Sequence, residues 1–427
     1  FIIDGIGFFI DCYDMFMVPY FAYYINAVYY SSQMPYIYDS LLRTAHPMGS
    51  FSLGISLTGS GTGVSFVAAL IFWRFLMGIG LALENPFLAV INLPSASTST
   101  TPKVVMKPIY LSLASAIIAG YVVTLAFSAG FRNISNSQAD MLDYAWRICE
   151  GSIFVPTAIV LYFRLTRKVC EPVKEEEEKC IEDVIPETCL SRTNTLTSDT
   201  PPPSFTWSDS ITHFSKFKNF IVLAGGMITH FTVNTIFWGY AWNLGTIFFS
   251  VGFINSSMEI GAQNYYVALG VTWVAFGGIP GFLISTILIE HIGRKWLTLI
   301  GFGGMTIINL TLGYGFNSVK DVSPYLFIFL MMCQNAFVQL APNGTSLTQF
   351  RPTMFAPDTE PSPNGYYATM MSLGLIASQF LFTFVKNIGG PSASVSYIFK
   401  IYSLISIISL FITLLLPNPQ PFEKSKI

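Results

Sequence analysis

IFWRFLMGIGLALENPFLAV, residues 71–90, is long and apolar enough to cross a bilayer, yet it carries Arg74 and Glu84. A spanning helix needs about 20 mostly apolar residues. An ionisable side chain inside it costs roughly 2.5–3.5 kcal/mol on insertion scales, and is retained where it faces a bundle interior, a water-filled cavity or a partner. Glu84 therefore reads either as a functional acid facing a polar cavity or as a neutral, hydrogen-bonded interior acid. Arg74 reads as a helix anchor held by carbonyls or a carboxylate.

The whole chain shares this character. Of 427 residues, 52% are hydrophobic, 15% aromatic and only 11% charged, and the mean hydropathy is +0.54. Soluble domains carry about 25% charged residues, so the composition specifies an all-α integral membrane protein. The net charge of −2 is spread without a basic stripe, which excludes nucleic acid as a partner. Cys12, Cys149, Cys170, Cys180, Cys189 and Cys333 show neither CxxC nor zinc-type spacing and read as free thiols. No Ser/His/Asp set, metal cluster, GxGxxG or Walker motif in its proper context occurs, so no enzyme activity, metal, cofactor or ATP-driven step is expected.

The 20-residue rule places spans at roughly 2–29, 64–92, 106–129, 147–164, 218–250, 265–289, 296–315, 324–348, 365–386 and 397–416. Residues 165–217 interrupt them with the acidic run Glu175–Glu178 and the stretch TNTLTSDTPPPS, which is too polar to bury a core and reads as a solvated, largely disordered loop. The expected organisation is an N-terminal membrane bundle over 1–164, this central loop over 165–217, and a six-helix C-terminal bundle over 218–427 with a short tail. Lys and Arg collect in the central loop, at Arg294–Lys295, at Arg351 and at Lys424 and Lys426. Those positions fall on one side if each span crosses, so that side is expected to be cytoplasmic, together with both termini. The sequons at Asn133 and Asn255 fall on the other.

Residues 31–63 do not fit this alternation. They must cross twice or not at all, and AHPMGSFSLGISLTGSGTG is too short and too rich in Gly, Ser and Thr for two crossings. About ten full spans are expected, with an incomplete N-terminal half. The opening FIIDGIGFFIDCYDMF lacks the flanks of a signal peptide and reads as the interior of a first span, so the numbering is expected to start within a longer protein.

EHIGRK, residues 290–295, resembles the acidic-x-x-Gly-Arg-Lys turn of the major facilitator superfamily. Further stretches are similar, in the right order, to successive spans of that superfamily's fungal and plant phosphate:proton symporters. They are GIGFFIDCYDMF from Gly5, TAHPMG from Thr44, IFWRFLMGIG from Ile71, DYAWR from Asp143, YFRLT from Tyr162, HFSK from His213, APNGTS from Ala341 and LLP from Leu415. The resemblance implies a major facilitator superfamily-like two-bundle fold, a phosphate site near the bilayer midplane between the halves, protons carried by buried carboxylates, and alternating access by rocking of the halves.

Carried over position by position, the resemblance marks Asp11, Asp14 and Glu84 as proton-coupling residues. It marks Asn85, His230, Asn234, Trp238, Asn343 and Ser372 as lining the substrate site. The family's Gly-Gly-Asp-Tyr-Pro reads Ala82-Leu83-Glu84-Asn85-Pro86 here, and its fifth-span glutamine matches Leu113. Its seventh-span tryptophan, aspartate and tyrosine match His230, Asn234 and Trp238, the tenth-span asparagine is kept as Asn343, and the eleventh-span lysine matches Ser372. A protonated His230 could replace the lost positive charge, since its reference pKa is near 6.5.

The residues also admit plainer readings. Asp11 and Asp14, three apart on one helical face, are proton carriers or caps near a helix end. His230 is a cavity ligand or a satisfied core histidine; Asn234 and Asn343 contact solute or bond across helices; Trp238 packs or anchors at an interface. Glu150 is the simplest intrahelical partner of Arg147. The function expected is proton-coupled uptake of inorganic phosphate at the plasma membrane. The alternatives are a transport-inactive relative acting as receptor or partner, a defective gene model, or a proton-coupled transporter of a neutral or organic solute.

Overall fold

The structure is a computed structural model that describes residues 120–135, 141–152, 214–288, 291–340, 361–385 and 388–416, with isolated positions at 68–69, 71–72, 154, 158, 162, 166 and 211–212. Every regular element among them is a helix. In chain order they are α1 (Gly120–Gly130), α2 (Met141–Gly151), α3 (Phe217–Ala241), α4 (Leu244–Val251), α5 (Ile260–Leu288), α6 (Arg294–Tyr314), α7 (Phe316–Val322), α8 (Pro324–Leu340), α9 (Pro361–Val385) and α10 (Pro391–Leu415). Within α3, α5, α6 and α10, segments of 20 to 26 residues are long and apolar enough to cross a membrane. Residues 31–63, on which the expected incomplete N-terminal half rests, lie outside the described residues.

Helix pairs make up the C-terminal part: α3 with α9, α5 with α8, and α6 with α10. The first pair is parallel, because the residues that bond across it keep a sequence separation of 136 to 141. The last is antiparallel, since Thr306 meets Ser406 while Ser396 meets Gly313. Lipid tails are as apolar as leucine, so helices in a bilayer associate through close packing and polar contacts. Gly277 and Gly281, one turn apart, allow that approach. A Cβ at Gly277 would come 2.6 Å from the Cα of Met332, and one at Gly281 would stand on the carbonyl of Ala336, so α5 lies backbone to backbone on α8.

The expected span 218–250 is not one helix. It breaks at Trp242–Asn243 into α3 and α4. The Asn243 amide donates to Gly239 O at 2.9 Å and to Gln379 Oε1 at 3.1 Å, and both break residues are buried. Backbone freed at membrane depth is tolerated where protein re-satisfies it, and apolar periodicity gives no sign of such a break.

The core is built by helices α3 to α10, around the fully buried Tyr240, Trp242, Phe248, Phe302, Phe327, Phe399 and Tyr402. Trp146 of α2 and Tyr121 of α1 join the same cluster. At one end of the bundle, Lys295 Nζ donates to Leu414 O at 2.9 Å and to Leu416 O at 2.5 Å. A cation there satisfies the last carbonyls of α10 and complements its dipole.

Candidate functional site

His230, Asn234 and Trp238 recur every fourth residue and so share one face of α3. All three are buried, at 4%, 5% and 4% exposure. Each is tied to the turn before it. His230 Nδ1 lies 2.8 Å from Gly226 O, Asn234 Nδ2 donates to His230 O at 2.8 Å, and Trp238 Nε1 donates to Asn234 Oδ1 at 3.0 Å. A carbonyl can only accept, so Nδ1 carries the imidazole hydrogen, and Nε2 is the nitrogen that takes a further proton. From α9 the Tyr367 ring stacks on the imidazole, with centroids 4.8 Å apart and planes 6° from parallel. Trp238 packs edge-on against Phe237 at 4.9 Å and at a 55° tilt against Trp242 at 5.2 Å.

These contacts bear on the alternatives the sequence left open. Asn234 bonds along its own helix instead of across to another. Trp238 packs in an aromatic cluster while its indole N–H joins the polar ladder. Ser372 lies on α9 near the depth of Phe231, because Gly374 abuts the backbone of Phe231, and Ser372 is exposed where His230 is buried. Asp11, Asp14, Glu84, Asn85 and Asn343 lie outside the described residues. Along the described buried face of α3, the imidazole is the group that can become a cation.

Beyond this ladder lies a set of buried polar residues that family positions do not single out. Tyr240 Oη donates to Asn335 Oδ1 at 3.2 Å, and Asn335 Nδ2 donates to Val274 O at 2.9 Å, which joins α3, α8 and α5. Gln379 Nε2 donates to Trp238 O at 3.2 Å and to Ser378 Oγ at 3.2 Å. The sequence does hold a signal for them: Asn243, Asn335 and Gln379 are amides inside apolar spans, where unsatisfied polar groups are costly. In α2, Asp143 accepts from Trp146 Nε1 and from Arg147 Nε, each at 2.8 Å, and the guanidinium lies over the Trp146 ring. Asp143 is thus a partner of Arg147, one turn before it, and the side chain of Glu150, the partner expected from the sequence, lies outside the described residues.

Residues 191–426 match the sugar (and other) transporter family. The repressible high-affinity phosphate permease of Neurospora crassa is 23% identical, over 98% of this chain and 84% of its own length. The inorganic phosphate transporter PHO84 of Saccharomyces cerevisiae is 24% identical, over 98% of this chain and 82% of its own. Among solved structures, the xylose transporter XylE of E. coli superposes with a TM-score of 0.64 at 14% identity, over 98% of both chains. XylE is described as a major facilitator superfamily proton:xylose symporter. That likeness shows the fold: the chain has the helical architecture of the major facilitator superfamily.

Proposed function

The chain belongs to the sugar (and other) transporter family, and from that membership we propose that it takes up inorganic phosphate together with protons by alternating access. One observation carries the reading: a buried, hydrogen-bonded ladder of His230, Asn234 and Trp238 on α3, closed by Tyr367 of α9, in a chain whose relatives along 98% of its length are phosphate permeases. A phosphate held away from water needs hydrogen-bond donors and a compensating cation. His230 supplies that cation on taking a proton at Nε2, since Nδ1 is committed to Gly226 O. Protonation of the imidazole and arrival of the anion then favour one another. The indole of Trp238 and the amides of Asn85, Asn234 and Asn343 supply donors, with Ser372 standing where the family has a lysine. Asp11, Asp14 and Glu84 carry the coupled protons.

Two halves, 1–164 and 218–427, move about this site and are tethered by 165–217. The ends carrying Lys216 and Arg294–Lys295 face the cytoplasm, as do both termini, and the protein resides in the plasma membrane; the placement of positive charge supports this orientation. Radiolabelled phosphate uptake into proteoliposomes under an imposed inward pH gradient tests the function. Uptake that collapses with the gradient is expected. A flux no greater than that of empty vesicles overturns it.

A further inference from the structure

The antiparallel pair α6–α10 turns two apolar stripes outward. Ile307 and Leu310 are exposed on α6, and Leu404, Ile408 and Phe411 on α10. Their spacing puts each set on one helical face, and the Thr306–Ser406 contact holds the two helices side by side. Thr311, exposed beside the first stripe, turns its hydroxyl onto Ile307 O of its own helix at 2.9 Å.

One cation stands at the end of this surface. Lys400, half-exposed on α10, holds its Nζ 5.1 Å from the ring centroid of Tyr314 and 5.0 Å from that of Tyr397. Both tyrosines are exposed, at 72% and 45%. The base of the lysine is fixed, because the end of α6 lies directly on it. A Cβ on Gly313 would come 2.9 Å from Lys400 N and 3.0 Å from its Cγ, and Ser396 Oγ donates to Gly313 O at 2.6 Å. Lys295 reaches carbonyl oxygens of α10, and Lys320 reaches Ser392 Oγ at 3.1 Å. Among the described residues, Lys400 has no such acceptor and no carboxylate partner, and neither phenol has a hydrogen bond. Ring faces offset part of what an ammonium loses on leaving water, and they leave its three N–H donors unfilled.

Depth identifies what fills them. From Arg294 to Tyr314, α6 rises about 30 Å, the thickness of a bilayer's hydrocarbon core. With the Arg294–Lys295 end at one boundary, Tyr314 and the neighbouring Lys400 stand at the other, the level of lipid headgroups, where tyrosine is enriched. The anion available there is the phosphodiester of a lipid.

We propose that Lys400, Tyr314 and Tyr397 form a phospholipid site on the α6–α10 face. The ammonium and the two phenols donate to the headgroup phosphate through charge-assisted bonds, and the acyl chains lie along the two apolar stripes. The site requires only that α6 and α10 cross a bilayer, so it is independent of which solute the protein carries.

Native mass spectrometry of the whole chain, stripped of lipid in detergent and titrated with dioleoylphosphatidylethanolamine, tests it. Dioleoylglycerol, with the same tails and no phosphate, is the comparison. The wild-type protein should bind its first phospholipid roughly tenfold more tightly than the diacylglycerol, and Lys400→Met should lose about fivefold or more of that affinity. Lys400→Arg should keep most of it, Tyr314→Phe should lose a smaller share, and Lys216→Met, at an exposed cation ahead of α3, should lose none. Wild-type affinity in Lys400→Met, or diacylglycerol bound as tightly as phospholipid, overturns the proposal. Displacement of the lipid by millimolar inorganic phosphate also overturns it, by making this a site for the free anion. If Lys400→Met is not recovered, the wild-type protein carries the test through a phosphatidylethanolamine bearing a diazirine on its headgroup. Cross-links on peptides containing Tyr314 and Lys400 are expected, and cross-links confined to other peptides overturn the site.

Discussion

His230 Nδ1 donates its hydrogen to Gly226 O, which leaves Nε2 as the nitrogen that can take a further proton. A charge-assisted hydrogen bond is worth about 1.5–3 kcal/mol, so His230→Ala should weaken phosphate binding by roughly tenfold to a hundredfold. Equilibrium binding of labelled phosphate measures the loss, and equal affinities would remove His230 from the site. Asn309 and Gln334 present the opposite case, fully buried amides for which no hydrogen-bond partner is described. Leaving such a group unsatisfied costs about 1–3 kcal/mol, and an apolar replacement of similar shape relieves it. Gln334→Met should accordingly raise the thermal unfolding midpoint in detergent, and a lowered midpoint would show that the amide is satisfied by water or solute.

The break between α3 and α4 shows how a helix in a membrane can stop without a proline. Asn243 ties the loosened turn to Gly239 of its own helix and to Gln379 of α9, and Gln379 returns a bond to the Trp238 carbonyl. Hydrogen bonds between membrane helices average about 0.6 kcal/mol and reach about 1.7. Asn243→Ala and Gln379→Ala should each destabilise the folded state within that range. Because they share one bond, the double variant should cost less than the sum of the two. Strict additivity in denaturant titrations would mean that the amides act separately. Hydropathy located α3 and α4 as a single span because every residue through the break is compatible with a membrane interior. The break follows from what Asn243 meets on a helix more than a hundred residues away, which no local pattern contains. By contrast, His230, Asn234 and Trp238 were marked beforehand by the family resemblance, and a spacing of four on a helix gives them a shared face wherever the helix goes.

Among the described residues, α1, its following turn and Trp146 meet a core built by helices α3 to α10. The described helices of the C-terminal bundle pack on one another in the pairs α3 with α9, α5 with α8 and α6 with α10. The C-terminal bundle should therefore fold without a covalent tie to the rest of the chain. Co-expression of residues 1–190 and 191–427 as separate chains should restore phosphate uptake to cells lacking their own transporter. Neither chain should do so alone, because the proposed site lies between the halves. Uptake by the C-terminal chain alone would contradict a site shared by two bundles.

Composition settled the solvent: at 11% charge, most of these helices cannot be covered by water, and in lipid a polypeptide must satisfy its backbone within helices or closed barrels. The order of short motifs along the chain pointed to the superfamily, and the match of residues 191–426 to the transporter family agrees. Which polar side chains would meet was not readable in the same way. Tyr367 reached His230, Asn335 reached Tyr240, and Gly261 reached the 131–134 turn through packing between helices far apart in sequence. Periodicity assigns a residue to a face of its own helix, but the neighbour that face acquires depends on crossing, depth and close approach, and those are properties of the assembled bundle.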